Sequence, residues 1–337
     1  MSTANITTDY FRALLSLQTC SSLHPGIIGG DSIIDRPIHR EVHTQLPMVS
    51  SNALKGALRE QNIAKKVLAT ADDSGNSILK GELREQNIAK SCNVSKLFGS
   101  DDDDNTNDDK PRGGKPGLLF FSDARLLLFP VRSKAGGWAW ITSPRVLKKF
   151  REEARLAGIL PESPDIDAFY KAFDNAINDD QAVYAGRQLA IGSQVMLYRH
   201  AFSIDKRLSE QKLDVEKWQK AMPLLQCLPA LSERLVILSD ENFREMTSLY
   251  TEVITRNKIT DSTGAVSGEA LFTEEYLPAD SLLYALAASN PGKTQKHVSD
   301  MIDRNVCRIQ LAGNATLGKG LCRIAWHYPQ TQKTTQP

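Results

Sequence analysis

The chain has 337 residues, with 41 Lys and Arg against 40 Asp and Glu, a net charge of +1 and 41% hydrophobic residues. That length holds one large domain with insertions or two smaller ones, and the charge balance excludes a histone-like binder working by net charge alone. Five scattered cysteines without a CxxC pair argue against both a disulfide framework and a zinc knuckle. No window approaches the roughly 18 apolar residues of a bilayer span, and the first residues lack the basic and then apolar pattern of a signal peptide. A cytoplasmic protein with no membrane partner is expected. The charge is segregated: six Asp crowd into 101–109 (DDDDNTNDD), and the remaining body is moderately basic, which suits a nucleic-acid partner.

In chain order, partial alternation of Phe11, Ala13, Leu15 and Leu17 predicts a first strand over 9–19. HPGIIGG at 24–30 breaks it and makes an exposed loop whose backbone can approach a ligand closely. Pro37 and Pro47 keep SIIDRPIHREVHTQLPMV from being helical. It reads as an extended, irregular segment carrying Asp35, Arg36, His39, Arg40 and His43. SSN at 50–52 supplies helix caps for ALKGALREQNIAKKVLA, with Leu54, Ala57 and Leu58 on one face and Lys55, Arg59 and Asn62 on another. A helix starting beside a Gly loop with cations in its first turns can hold phosphates through N–H groups and charge together.

LKGALREQNIAK (54–65) recurs as LKGELREQNIAK (79–90), with eleven identities in twelve positions. Two copies are too few for a solenoid. The first is favoured as the working copy because it alone follows PMVSSN, and replacement by the second stays open. KLFGSDDDDNTNDDKPRGGKPG (96–117) reads as a low-complexity connection, expected to be a disordered acidic loop over 101–117. It lacks the Gly and terminal Glu of an EF-hand loop.

LLFFSDARLLLFPV (118–131) predicts a buried strand bent at Ser122–Asp123, with Asp123 as a strand-end carboxylate and GGWAWITS (136–143) as partner. Trp138 and Trp140 suit core packing more than base stacking. Helical spacing follows over 144–180, then one or two strands in QAVYAGRQLAIGSQVMLYRHAFS and a short helix in VEKWQKAMPLLQCL. ERLVILSD predicts a strand and ENFREMTSLY a helix. An alternating two-strand ribbon spans 251–276, its turn near Thr263–Gly264, projecting from the body with Arg256 and Lys258 on it. DSLLYALAA resumes packed structure, and a helix, the loop GNATLGKG (313–320) and a closing strand end the pattern. That loop lacks the Ser or Thr after Lys of a P-loop, which argues against a nucleotide triphosphatase.

The blocks HPG…IIDRPIHREVHT…LKGALR (24–59), LFG…GLLFFSDARLLLFPVRS…WAWITSP (97–144), TEVITR…EEYLPADSLLY (251–284) and GNATLGKGLCR (313–323) resemble the backbone subunits of Cmr (type III-B) CRISPR effector complexes, within the RAMP superfamily. The resemblance spans nearly the whole chain in order. The duplicated helix and the Asp-rich insertion depart from it. It implies an α+β fold: a modified ferredoxin-like (RRM-like) core, a single domain over 1–337 with insertions, and a hairpin thumb at 251–276. The implied partners are guide RNA (crRNA), complementary target RNA, other Cmr subunits and further copies of the chain in a helical filament. Each thumb would displace one base pair of the guide–target duplex.

The resemblance further implies an endoribonuclease that cuts target RNA beside each displaced nucleotide, with a divalent metal, Mg²⁺ or Mn²⁺. The implied aspartate falls on Asp35, as catalytic residue and metal ligand, with Asp31 a lesser candidate. Splaying a nucleotide places its 2′-hydroxyl in line for attack. An ordinary Asp, with a pKa of about 4, is a weak base, so metal placement is the favoured role. His24 orients or protonates, or only shapes the Gly turn. Glu274 and Tyr276 match residues near the family's cleavage site, Tyr276 alternatively packing. Guide binding is expected at Arg40, Lys55, Arg59 and the Gly313, Gly318, Lys319 and Gly320 loop, with Arg256 and Lys258 on the thumb. His39 and His43 fit RNA contact or solvation, and base pairing reads the sequence. The alternatives are a non-catalytic RNA-binding scaffold of the same complex and a guide-processing nuclease using His24.

Overall fold

The computed structural model describes residues 10–27, 33–70, 93–99, 115–161, 163–173, 177–205, 215–257, 271–290, 292, 295–299, 302 and 306–329. Asp31, the second copy of the duplicated helix, the acidic run at 101–109, Lys258 and the ribbon turn lie outside the described residues.

Six strands position the site: β1 (Arg12–Thr19), β2 (Ala124–Arg132), β3 (Glu252–Arg256), β4 (Phe272–Tyr276), β5 (Leu282–Ser289) and β6 (Leu321–His327). Four of them lie in the order β6-β1-β5-β2, every neighbouring pair antiparallel. Helix α1 (Ser51–Thr70) connects the first two of these in sequence, and a short helix, Gln295–Ser299, lies between the last two. This is the connectivity of a ferredoxin-like βαββαβ unit. β1 has neighbours on both edges and is buried from Ala13 to Leu17. A strand covered on both faces reads as a near-continuous apolar run, which is why its alternation in the sequence is only partial.

The chain breaks between Leu119–Phe121, which pairs with β5, and β2, as expected at Ser122–Asp123. Asp123 then accepts a hydrogen bond from the Ser51 N–H at 2.8 Å, so a carboxylate from a distant turn caps α1. Ser50 adds only a longer bond to the Ala53 N–H, 3.4 Å. Leu54 and Leu58 are buried, each such burial being worth about 1.5–3 kcal/mol. The first half of β2 pairs with β5 and its second half with Trp138–Thr142. It thereby hands the sheet on to Leu235–Leu238, Gln181–Ala185 and beyond. The stretch expected to hold one or two strands holds four, because Gly186, Gly192 and the Tyr198–Arg199 turn interrupt it.

β3 and β4 form a separate two-stranded sheet, in register from Glu252 opposite Tyr276 to Arg256 opposite Phe272. They are the root of the expected ribbon. Among the described residues no helix is long and apolar enough to cross a membrane.

Candidate functional site at the root of the hairpin

Successive residues of a strand face opposite sides, yet Glu274 and Glu275 of β4 are both buried, at 1% and 3% exposure. Two buried carboxylates on opposite faces each require positive charge and hydrogen bonds. The segment around Pro37 contributes to both sets, Arg36 to Glu274 and Ile38 and Arg40 to Glu275. Glu274 accepts from Arg36 at 2.8 Å through Oε1 and from the Tyr276 hydroxyl at 2.6 Å through Oε2. The Arg256 Nε lies 2.7 Å from the same Oε2, and Asn314 donates to it at 3.3 Å. Burial alone would raise the Glu274 pKa, but the Tyr276 and Arg36 hydrogen bonds and the Arg256 charge outweigh it, and the net shift is downward. Burial and the neighbouring Glu274 raise the Tyr276 phenol.

On the other face, Glu275 accepts from the Ile38 N–H at 3.0 Å, from the Thr251 hydroxyl at 2.8 Å and from Arg40. The Arg40 guanidinium also donates to the carbonyls of Thr247 at 3.2 Å and Gln45 at 3.0 Å. Arg40 and Arg256, expected on RNA, therefore direct their guanidinium groups into the protein. Arg36 is half-exposed and lies over the Phe272 ring at 4.0 Å.

The extended segment is bound to the edge of β4 opposite β3. The Arg36 N–H donates to the Thr273 carbonyl at 3.0 Å, and the Glu275 N–H donates to the Arg36 carbonyl at 3.0 Å. Pro37 has no N–H to lose in this pairing. Leu23 and Leu277 exchange two further bonds, 2.9 and 2.8 Å, so the 23–26 turn lies along the same edge.

Asp35 is exposed and held by one residue. Its Oδ2 accepts from both the N–H (2.7 Å) and the hydroxyl (2.8 Å) of Thr273, and its own N–H donates to that hydroxyl oxygen at 3.0 Å. The Thr273 N–H, and then its hydroxyl, hold the carboxyl below the usual aspartate range. Oδ1 has no partner among the described residues.

His24 is 9% exposed, with Nδ1 2.7 Å from the Glu275 carbonyl. A carbonyl only accepts, so Nδ1 carries a proton and donates here. The ring lies 5.4 Å from that of Tyr276. It lines a cavity of about 280 Å³ with Gly26, His39, Ser50, Ala53 and Gly313. A Cβ on Gly26 would sit 2.6 Å from Nε2, so only glycine fits without moving the imidazole. The start of α1, the Gly turn and the C-terminal loop thus meet. In that loop Gly318 and Gly320 have φ of 73° and 78°, and a Cβ on Gly320 would meet the Leu311 carbonyl at 2.0 Å. Lys319 places Nζ 4.9 Å from the Tyr276 ring centre. Lys55 and Arg59 are half-buried on α1.

Three participants escaped the sequence reading: Thr273, Glu275 and Asn314. The available signal was the pair of adjacent glutamates in a strand otherwise reading as buried, matched by two arginines four residues apart.

Among the described residues no three His, Cys, Asp or Glu side chains converge on one point. Among Asp35, Glu274 and Glu275, both oxygens of the two glutamates are used, whereas Asp35 leaves one oxygen, Oδ1, without a hydrogen bond among the described residues. That suits Mg²⁺, which is commonly held by one or two carboxylates together with substrate phosphates and water.

The model of the RAMP superfamily matches residues 16–323. The chain belongs to the RAMP superfamily. Among RAMP proteins it is 28% identical over 320 residues to the CRISPR system Cmr endoribonuclease Cmr4 of Pyrococcus furiosus, covering 92% of this chain and 94% of that protein. It is 22% identical over 321 residues to the CRISPR system CMR subunit Cmr4 of Saccharolobus solfataricus, covering 90% and 93%. The crystal structure of oligomeric Cmr4 from Pyrococcus furiosus superposes with a TM-score of 0.62 at 26% identity, covering 95% of this chain and all (100%) of that one. A chain of the type III-B Cmr-beta complex bound to cognate target RNA shares the fold, with a TM-score of 0.66 at 18% identity and coverage of 95% and 98%. The resemblance to Cmr backbone subunits read from the sequence is borne out by these relatives.

Proposed function

We propose that this RAMP chain is a repeated backbone subunit of a type III-B CRISPR effector complex, binding guide RNA and cutting complementary target RNA at regular intervals through attack by the 2′-hydroxyl. One observation carries the reading: an exposed, ionised carboxylate, Asp35, is fixed to the root of a hairpin through Thr273. The similarity to a named Cmr endoribonuclease over nearly the full chain supports it.

In the proposed reaction the 2′ oxygen attacks the adjacent phosphorus and the bond to the 5′ oxygen breaks. The products are a 2′,3′-cyclic phosphate and a 5′-hydroxyl, with one proton leaving the nucleophile and one reaching the leaving oxygen. Hairpin displacement of a base pair contributes the in-line geometry that helical RNA withholds. Because Thr273 depresses its pKa, Asp35 stays ionised and is a weak base. Its role is to orient the hydroxyl and to present Oδ1 to a divalent ion. When bound, such an ion neutralises phosphate charge and acidifies the attacking hydroxyl. The Thr273 and Glu275 anchors of Asp35 and His24 are two residues apart on β4, roughly 7 Å along the strand. His24 offers Nε2 for proton exchange near the leaving oxygen, while Glu274 and Tyr276, both buried, position the strand. Lys55 and Arg59 grip guide phosphates, whereas the N–H groups of Gly313, Gly318, Lys319 and Gly320, expected to do the same, donate to carbonyls of the protein itself.

The test is Asp35→Ala in a reconstituted complex, with Mg²⁺ or with EDTA. Cutting is expected to fall at least a hundredfold while guide and target affinity hold. Wild-type-like cutting by the variant would refute the catalytic assignment.

A further inference from the structure

The strands Gln194–Leu197 and His200–Ile204 are joined by two residues, Tyr198 and Arg199, with Leu197 opposite His200. Tight hairpin turns of this length put the first central residue at positive φ, where glycine or asparagine is the usual occupant. Here Tyr198 has φ of 50°. A bulky side chain kept in that region marks local strain.

The Tyr198 ring lies flat on that of Tyr250, with centroids 3.7 Å apart and planes within 5°. Aromatic pairs prefer offset or edge-on contacts with centroids beyond about 4.5 Å, so the surroundings impose this sandwich. Tyr250 is held between the helix Asp240–Leu249 and β3, with its hydroxyl 3.1 Å from the His200 Nε2. Although one face is covered in this way, Tyr198 remains 41% exposed. Arg132 and Arg199 are exposed beside it, and the Arg132 carbonyl accepts the Tyr198 N–H at 3.0 Å. Glu252, the first residue of β3, is close enough for its charge to act on the phenol. An outward-facing ring, backed by a second ring and close to both Arg132 and Glu252, with the exposed Arg199 next in sequence, thus stands at the foot of the hairpin.

We propose that Tyr198, backed by Tyr250, is a stacking platform for an unpaired nucleobase of target RNA at the root of the hairpin, with Arg132 and Arg199 holding the flanking phosphates. The site deepens the RNA-cleaving reading and rests on it. Stacking suits a guide-directed protein because every base has a π-face and the contact is indifferent to sequence. The strained turn is explained as well, since glycine would fit the backbone better and is absent where a ring is used.

The test compares Tyr198→Gly, which suits the turn and removes the ring, with Tyr198→Trp, which keeps a platform. Target RNAs carrying 2-aminopurine at successive positions are bound to the assembled, guide-loaded complex. In wild type the fluorescence is expected to be quenched at one position per cutting interval. Tyr198→Gly should lose that quench and weaken target binding about tenfold, with a thermal midpoint at or above wild type, while Tyr198→Trp retains the quench. Unchanged affinity and quench in Tyr198→Gly would overturn the platform and leave the nuclease reading intact if Asp35→Ala still abolishes cutting. Failure of the wild-type complex to bind target RNA would overturn both. Loss of copy-to-copy assembly in Tyr198→Gly, with the quench preserved, would assign the ring to a protein interface and overturn the proposal.

Discussion

Arg40 decides between two uses of a basic segment, one facing RNA and one facing the protein. Its side chain is 16% exposed against a Glu275 side chain at 4%, and three further bonds tie it to the Thr247 and Gln45 carbonyls. Arg40→Met keeps most of the aliphatic bulk and strands the carboxylate. Removing one partner of a buried pair costs about 3–5 kcal/mol. The Ile38 N–H and Thr251 hydroxyl still serve Glu275, which lowers the expected loss to about 2–4 kcal/mol. At about 2–4 °C per kcal/mol for a large domain, the melting midpoint should fall by about 5–15 °C. Glu275→Gln should then recover part of that loss in the Arg40→Met background, because the amide leaves no unpaired charge. Thermal melts of the isolated chain and the double-mutant cycle supply these values. An unaltered melting point, accompanied by a salt dependence of RNA affinity about one unit shallower, would refute the reasoning and place Arg40 on a phosphate.

Thr273→Val removes the hydroxyl donor but keeps the N–H, so the Asp35 pKa should rise part-way toward its ordinary value. The acid limb of the cutting rate then moves to higher pH in single-turnover profiles, and an unmoved limb would contradict a working Asp35 carboxylate. Glu274→Gln should lower acid-sensitive stability: a carboxyl depressed in the fold contributes above its unfolded value of 4.5 and loses that contribution as pH falls through the folded value. Urea titrations above pH 4.5 therefore separate wild type from variant in full, and the separation closes as pH falls from there through the folded value. Burial pushes His327 down from 6.5 to about 4, so the unfolded chain binds more protons between those values and stability declines as pH drops through that window. The decline is worth up to about 3 kcal/mol, and His327→Gln should flatten that slope in pH-dependent melts.

Much of the fold was legible because local pattern and burial coincide. The 118–131 block, its break at Ser122–Asp123 and its Trp138–Thr142 partner all follow from apolar runs and turn chemistry. The four-strand order was not legible from periodicity, since β1 lies between two strands from the far end of the chain. The same distance hid the electrostatics of the site. Arg36 and Arg40 look like a nucleic-acid surface until β4 is laid beside them, more than two hundred residues later, and Glu274 and Glu275 claim one arginine each. Asp123 was legible as a structural carboxylate from its place at a strand end. That it caps α1 required the packing of the two elements.

The carboxylates at this root divide accessibility from placement. A group acting on RNA must be reachable, and Asp35 is exposed. It must also be held to a fraction of an ångström, which an exposed loop cannot do alone. Thr273 supplies the link, because its N–H and hydroxyl grip Asp35 while its carbonyl holds the next residue of the same loop. Thr273 is fixed in turn by β4, whose next two side chains are buried carboxylates locked on opposite faces by Arg36, Arg256 and Arg40. On the proposed reading, a loss of cutting on changing Glu274 or Tyr276 would follow from displaced geometry, without either group touching a proton of the substrate. The same logic separates His24, whose Nδ1 is committed to β4 while Nε2 borders the cavity. Of the four residues first grouped as catalytic, Glu274 and Tyr276 are buried in the hairpin root, His24 lines the cavity and Asp35 is exposed.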